Sequence, residues 1–267
     1  MRWDERQLAM LREIGVRLWL EPGGAVIEAA VSTHHGEPEA LAPPALRAAP
    51  KPLPQPAVQP EAAAPTARPK PADTVASMDW PALREAAFGC TACGLCAGRR
   101  NPVFGIGNER AHWMIVGEAP GDAEDAQGEP FAGKAGQLLD NMLQAIGLTR
   151  SDAAPAQQVY IAHMVKCRPP DNRNPTPDEL ARCEAFLIRQ VQLVQPRIIL
   201  ALGRFAPQLL GSTEPGGKLR GRVHRYHGVP LIVSYGPAHL LRNPEDKARA
   251  WDDLCLAAAT LQASVPR

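Results

Sequence analysis

The sequence predicts an α/β protein: a three-layer α/β/α sandwich around a mainly parallel central sheet. Three observations predict it. Short apolar runs bounded by turn residues alternate with segments whose apolar residues recur at helical spacing. The runs at 112–116, 159–165 and 197–202 are mainly apolar rather than alternating, as expected of strands covered on both faces. A hydrophobic content of 45% with 21% charged residues supplies enough apolar surface for a core of that kind.

Taken in order, residues 1–35 form a small N-terminal segment, with Leu8, Leu11, Ile14 and Leu18 on one helical stripe. It is too short to fold alone with a core of its own, and a docking tag for a protein partner is one role that suits it. Residues 36–73 carry eleven of the 28 prolines, mixed with Ala, Gln and Lys. Such a stretch buries too little to order itself and reads as a linker. A domain is expected from residue 74 to the C-terminus at 267. It opens with a helix over 78–88, with Pro81 in the first turn, then a loop to 101 and a strand over 112–116. A helix follows over 133–148, then a strand over 159–165. Thr176, Pro177 and Glu179 give the next helix an N-cap, a first-position proline and a capping-box partner. That helix runs to 194 and leads to a strand over 197–202 and a short helix to 210. Two strands at 223–226 and 229–234, joined at His227-Gly228, and a final helix over 245–261 complete the domain.

The bulk properties exclude several classes. The formal net charge is +1, so a nucleic-acid surface requires local clustering of Lys and Arg. No run of about 18 apolar residues is present, which argues against a transmembrane helix, and the amphipathic N-terminus argues against a signal peptide. A cytoplasmic monomer without membrane contact is expected. In that compartment thiols stay reduced, so six cysteines point to metal or catalysis before disulfides.

The stretch from Val116 to Phe131 is acidic and rich in Gly and Pro, and it lies between a strand and a helix. In open α/β sheets ligands bind at such a place, beyond the carboxyl ends of strands. Gly117 and Gly121 allow close approach of backbone to ligand, and Glu118 places a carboxylate there. Cys90-Thr-Ala-Cys93 is a C-x2-C pair in a glycine-rich loop. Cys167 follows the second strand, and Cys183 falls on the helix capped by Thr176. Four thiolates suit either a [4Fe-4S] cluster or structural zinc. Cys96 and Cys255 read as bystanders, Cys96 being near enough to substitute as a ligand.

Several motifs occur in a telling order: Cys90-x2-Cys93, Val103-Phe-Gly105, Gly117-Glu-Ala-Pro-Gly121, Gly128-Glu-Pro-Phe131, Lys166-Cys-Arg-Pro-Pro170 and Pro237-Ala-His-Leu-Leu-Arg242. In this combination the chain resembles the iron-sulfur, family 4 uracil-DNA glycosylases over roughly residues 78–261. The resemblance implies a uracil-DNA glycosylase-like α/β/α fold and a structural [4Fe-4S] cluster on Cys90, Cys93, Cys167 and Cys183. It implies that Glu118 is the catalytic carboxylate, that Ala119 lies beside the base, and that Phe131 stacks on it. Leu240, Leu241 and Arg242 match the loop that enters the duplex. The chemistry agrees, because a glycosylase takes its base out of the stack, and needs an aromatic wall and an apolar wedge. It also breaks a C–N bond through a cationic sugar that a carboxylate stabilises. Arg99, Arg100, Arg168, Arg173, Lys218, Arg220, Arg222 and Arg225 are candidates for phosphate contacts.

Two positions depart from the family's pattern. His163 stands where the family has Asn, whose amide sets a donor and an acceptor side by side; an imidazole carries them on opposite sides of its ring. Gly236 stands where the family has His, a donor to the departing base worth about 3–4 kcal/mol, or roughly 10²–10³ in rate. His163 and His239 together could supply a replacement donor. The expected function is hydrolysis of the N-glycosidic bond of uracil in DNA, by base flipping and without a lyase step, on DNA carrying uracil or another damaged base. The alternatives are altered base specificity, such as a deaminated purine, or a catalytically weak iron-sulfur DNA-binding module.

Overall fold

A computed structural model describes residues 75–263, and the expectations for the N-terminal segment and the linker lie outside them. The domain is built on one six-stranded sheet. In chain order the strands are β1 (Ile106–Gly107), β2 (Trp113–Gly117), β3 (Tyr160–His163), β4 (Ile198–Leu202), β5 (Val223–Tyr226) and β6 (Val229–Ser234). Their spatial order is β1-β3-β2-β4-β6-β5. The four central strands are parallel, and β1 and β5 close the edges antiparallel to β3 and β6. From β2 the chain steps outward to β3, then returns to place β4 on the other side of β2. The order therefore reverses between β2 and β4, the point where an open α/β sheet holds a ligand.

The helices are α1 (Trp80–Phe88), α2 (Asp122–Gln127), α3 (Lys134–Ala145), α4 (Pro177–Val194), α5 (Ala206–Leu209), α6 (Gly216–Leu219), α7 (Pro237–Arg242) and α8 (Lys247–Ala263). Asp79 caps α1, its carboxylate accepting from Ala82 N at 3.0 Å. The capping box of α4 forms as its sequence requires: Thr176 Oγ1 accepts from Glu179 N, and Glu179 accepts from Thr176 N at 2.7 Å. Arg173 adds a two-pronged pair to Glu179 at 2.6 and 2.8 Å and holds its carboxyl far below the usual range, at about 2.

Strand residues alternate between two buried faces. Trp113, Ile115, Ile161, Leu200 and Ile232 pack under α3 and α8, through Leu139, Met142, Leu143, Trp251 and Leu254. Met114, Val116, Ala162, Ile199 and Val233 pack under α4, through Leu180, Leu187 and Val191. Helices on both faces of a largely parallel sheet make the expected α/β/α sandwich.

Two local expectations are corrected. The acidic stretch after β2 is not loop throughout: α2 forms inside it. Three carboxylates in its first turn complement the helix N-terminus, Glu124 accepts from Gly121 N at 2.5 Å, and Gly128 ends it in the left-handed conformation, φ 75°. The segment of Leu240, Leu241 and Arg242 is likewise helical rather than a loop. Leu240 is 1% exposed and packs beside Leu138, Met142 and Trp251, because it lies on the core face of α7. Its side chain is therefore no wedge; Leu241, 46% exposed, is the leucine that faces outward.

This division predicts opposite stability effects. Leu240→Ala should lower unfolding free energy by about 2–5 kcal/mol through the cavity it leaves. Leu241→Ala should change it by roughly 0.5 kcal/mol or less. Denaturant titration of the two variants is the measurement.

Candidate active site

A cavity of about 560 Å³ opens across the carboxyl ends of the parallel strands. Glu118 and Ala119 reach it from the end of β2, His163 from β3, Gly203 and Arg204 from β4, and Tyr235 and Gly236 from β6. Phe131, His239 and Arg242 also line it. The strand order reversal and the cavity coincide, so the site stands where the topology predicts a ligand.

Glu118 is half-buried. Burial pushes its carboxyl above the ordinary range, with the charges of Arg204 and His163 pulling the other way without cancelling it. Phe131 is presented by a turn fixed at several points. Its backbone is left-handed, φ 53°, which a bulky residue adopts only where its surroundings impose it. Arg150 donates to the carbonyls of Pro130, Phe131 and Gly136 and pairs with Asp140 at 2.5 Å. A Cβ on Gly136 would fall 1.7 Å from Phe131 O, so glycine there lets α3 start against the turn.

Glu124, which the sequence did not single out, joins these parts. Its carboxylate accepts from Gly121 N, from Phe131 N and from His163 Nε2 at 2.8 Å. Burial pushes this carboxyl up, but the imidazole and the two backbone donors outweigh that and hold it below the usual range. Its one sequence signal is capping-box spacing, three residues after Gly121.

The ring of His163 is 2% exposed and lies 4.9 Å from the Phe131 ring. With Nε2 bonded to Glu124, Nδ1 is buried without a hydrogen-bond partner and packs on Gly117: a Cβ there would fall 2.3 Å from Nδ1 and 2.8 Å from Phe131 Cζ. His163 therefore offers no polar atom to the cavity. His239 is committed too. Its Nε2 bonds Asp246 at 2.7 Å, its Nδ1 contacts Asn243 Nδ2 at 3.2 Å, and its ring stacks on Tyr235 at 4.8 Å. The expectation that the two histidines supply a replacement donor is corrected: each is held by a carboxylate.

Several of the basic candidates are likewise engaged internally. Arg99 holds Cys167 and Phe88 O, Arg168 holds Asp122, Arg173 holds Glu179, Arg220 holds Asp253, and Arg222 holds Glu214. Arg204, not foreseen from the sequence, is the guanidinium that stands in the cavity near Glu118.

Cys90, Cys93, Cys167 and Cys183 line one pocket beneath the end of β3, and Cys96 lines it as well. Cys96 reaches the pocket from the 3-10 turn Gly94–Ala97, which follows the C-x2-C pair directly. Cys255 is exposed on α8, away from this pocket. Two sulfurs already accept hydrogen bonds: Cys167 Sγ from Arg99 Nη1 at 3.0 Å and Cys183 Sγ from Lys166 N at 3.3 Å. Among the described residues no three Cys, His, Asp or Glu side chains close on a single point as one metal ion requires. The two pockets share segments. Lys166, between His163 and Cys167, is fully buried and donates to His163 O at 2.6 Å and Gln190 Oε1 at 2.7 Å. Asp125 of α2 accepts from Arg100 N at 2.9 Å, fastening the cysteine loop to the acidic segment.

The packing at Gly117 yields a prediction. Gly117→Ala drives a methyl into the rings of His163 and Phe131. It should cost about 1–3 kcal/mol of stability and displace Phe131, seen by denaturant titration and by loss of the Phe131–His163 ring contact in NMR spectra.

Comparison with known proteins agrees with this geometry. The family model of the Uracil DNA glycosylase superfamily matches residues 104–255. A Type-4 uracil-DNA glycosylase of Archaeoglobus fulgidus is 42% identical over 58% of this chain and 80% of its own length. One from Pyrobaculum aerophilum is 39% identical over 67% and 93%. A Type-5 uracil-DNA glycosylase of Thermus thermophilus is 35% identical over 52% and 66%. With a strand order and a cavity that fall inside the matched region, the chain belongs to the uracil DNA glycosylase superfamily, as a member of its type-4 family.

Proposed function

We propose that the protein removes uracil from DNA by hydrolysing the N-glycosidic bond, as a monofunctional glycosylase of base-excision repair. One observation carries the reading: the Glu118 carboxylate and the Phe131 ring line one cavity at the carboxyl ends of the parallel strands, in a chain of this family. The cavity receives a base turned out of the helix, with Phe131 as its stacking wall. The C1′–N bond breaks with its electron pair on the base nitrogen. A water oxygen bonds to C1′ and loses a proton, and the base anion takes one up. Glu118, ionised, stabilises the cationic sugar and accepts the proton of the attacking water. Leu241 and Arg242, exposed beside the cavity, contact the duplex around the gap.

Cys90, Cys93, Cys167 and Cys183 would hold a [4Fe-4S] cluster. The four thiols that line one pocket, and the donors aimed at two of their sulfurs, support this reading. When bound, the cluster supplies electrostatic and structural ties between the cysteine loop and α4 rather than chemistry on the base. A second reading, altered base preference, is favoured by the fact that neither histidine presents a free nitrogen to the cavity.

Single-turnover assays on uracil-containing oligonucleotides test the proposal. Abasic product is expected from the wild type, and Glu118→Gln should lower the rate by roughly 10²–10⁴. Tight DNA binding without abasic product would overturn it. Activity needs ionised Glu118, whose pKa is raised, so the rate should fall with decreasing pH through a value above the ordinary range of about 4.3. Arg204→Met removes a positive neighbour and should move that acid limb further up. Freshly purified protein should contain iron and absorb in the visible, and Cys183→Ser should lose both; zinc alone would overturn the cluster.

A further inference from the structure

We infer that the base pocket selects its substrate by fit and by readiness to leave the helix, not by reading a hydrogen-bonding edge, so its substrates are the deaminated bases as a class: uracil, hypoxanthine and xanthine. The inference rests on the glycosylase reading above and deepens it.

Three observations carry it. First, no asparagine or glutamine side chain lines the cavity, so no planar amide sets a donor beside an acceptor against a bound base. Second, the two imidazoles that could read an edge are turned away. His163 gives Nε2 to Glu124 and buries Nδ1 against Gly117, and both nitrogens of His239 face Asp246 and Asn243. Third, the wall at Gly236 is open. A Cβ there would sit in ordinary contact with Leu202 O at 3.6 Å, so the glycine leaves unfilled the space that a longer side chain would take from a bound base.

The charged groups that line the cavity beside Glu118, namely Arg204, Arg220 and Arg242, act through charge rather than through a matched donor and acceptor. The chemistry is unchanged for a purine. The electron pair of the broken bond goes to N9 instead of N1, water again bonds to C1′, and the departing anion is protonated. A site that hydrogen-bonds its substrate's edge rejects an analogue by about 10⁴–10⁵, whereas a pocket that discriminates by shape alone manages roughly 10–200-fold. The remaining selectivity then comes from the duplex, since a mispaired base is extruded more easily than a paired one.

The test uses the full chain in excess over oligonucleotides carrying one uracil, hypoxanthine, xanthine or thymine, single-stranded and in duplex, with abasic product measured in single turnovers. Expected are product from all three deaminated bases within about 200-fold of one another, and faster uracil release opposite guanine than opposite adenine. His163→Asn, which places an amide at the end of β3, should widen the preference for uracil over hypoxanthine by about tenfold or more, a ratio that a change in folding alone would not move. Product from uracil only, with hypoxanthine slower by about 10⁴ or more, overturns the inference and leaves the glycosylase reading intact. No product from any base, with DNA still bound, overturns both. Should His163→Asn fail to fold, the wild-type panel decides by itself.

Discussion

A single buried carboxylate organises the site. Glu124 accepts from the backbone at the start of α2, from the backbone of Phe131 and from the ring of His163. Those three donors belong to three separate parts of the chain. Take the carboxylate away and Gly121, Phe131 and β3 lose their common partner, while the buried N–H groups left behind cost about 1–3 kcal/mol each. The aromatic wall owes its position to this convergence more than to its own packing. Its left-handed backbone is sustained because Glu124 holds its N–H and Arg150 its carbonyl.

Much of the scaffold was legible in the sequence because β2, β3, β4 and β6 fall in apolar runs, and Thr176-Pro-Asp-Glu179 writes its own helix start. The short elements were not legible. α2 hides in a segment whose Gly, Pro and Asp content reads as loop, since what makes it a helix is a side chain returning to Gly121. β1 has two residues, too few for any periodicity, and exists because β3 offers it an edge. Cys90, Cys93, Cys167 and Cys183 could be grouped by motif, yet Cys96 joined them only once its turn was seen. The failure at Leu240 is instructive. Adjacent leucines on a short helix point to opposite sides, and only the packing partners Leu138 and Trp251 decide which one is core.

The two histidines show why residue type does not settle role. Each lines the cavity, yet each is held by a carboxylate and an additional neighbour. At His163 that neighbour is Gly117, and at His239 it is Tyr235, itself covered on its other face by Arg220 at 4.0 Å. Such rings make walls. What faces a bound nucleotide is the half-buried Glu118 with the guanidiniums of Arg204 and Arg242, a set that suits a reaction whose transition state is mainly a matter of charge.

The tie between Asp125 and Arg100, and between Arg99 and Cys167, joins the sulfur-lined pocket to the catalytic segment. Cys90, Cys93 and Cys96 are only partly covered. Any rearrangement of these sulfurs would pull on Cys167, which Arg99 holds. The disturbance would reach α2 and the aromatic wall through two hydrogen bonds.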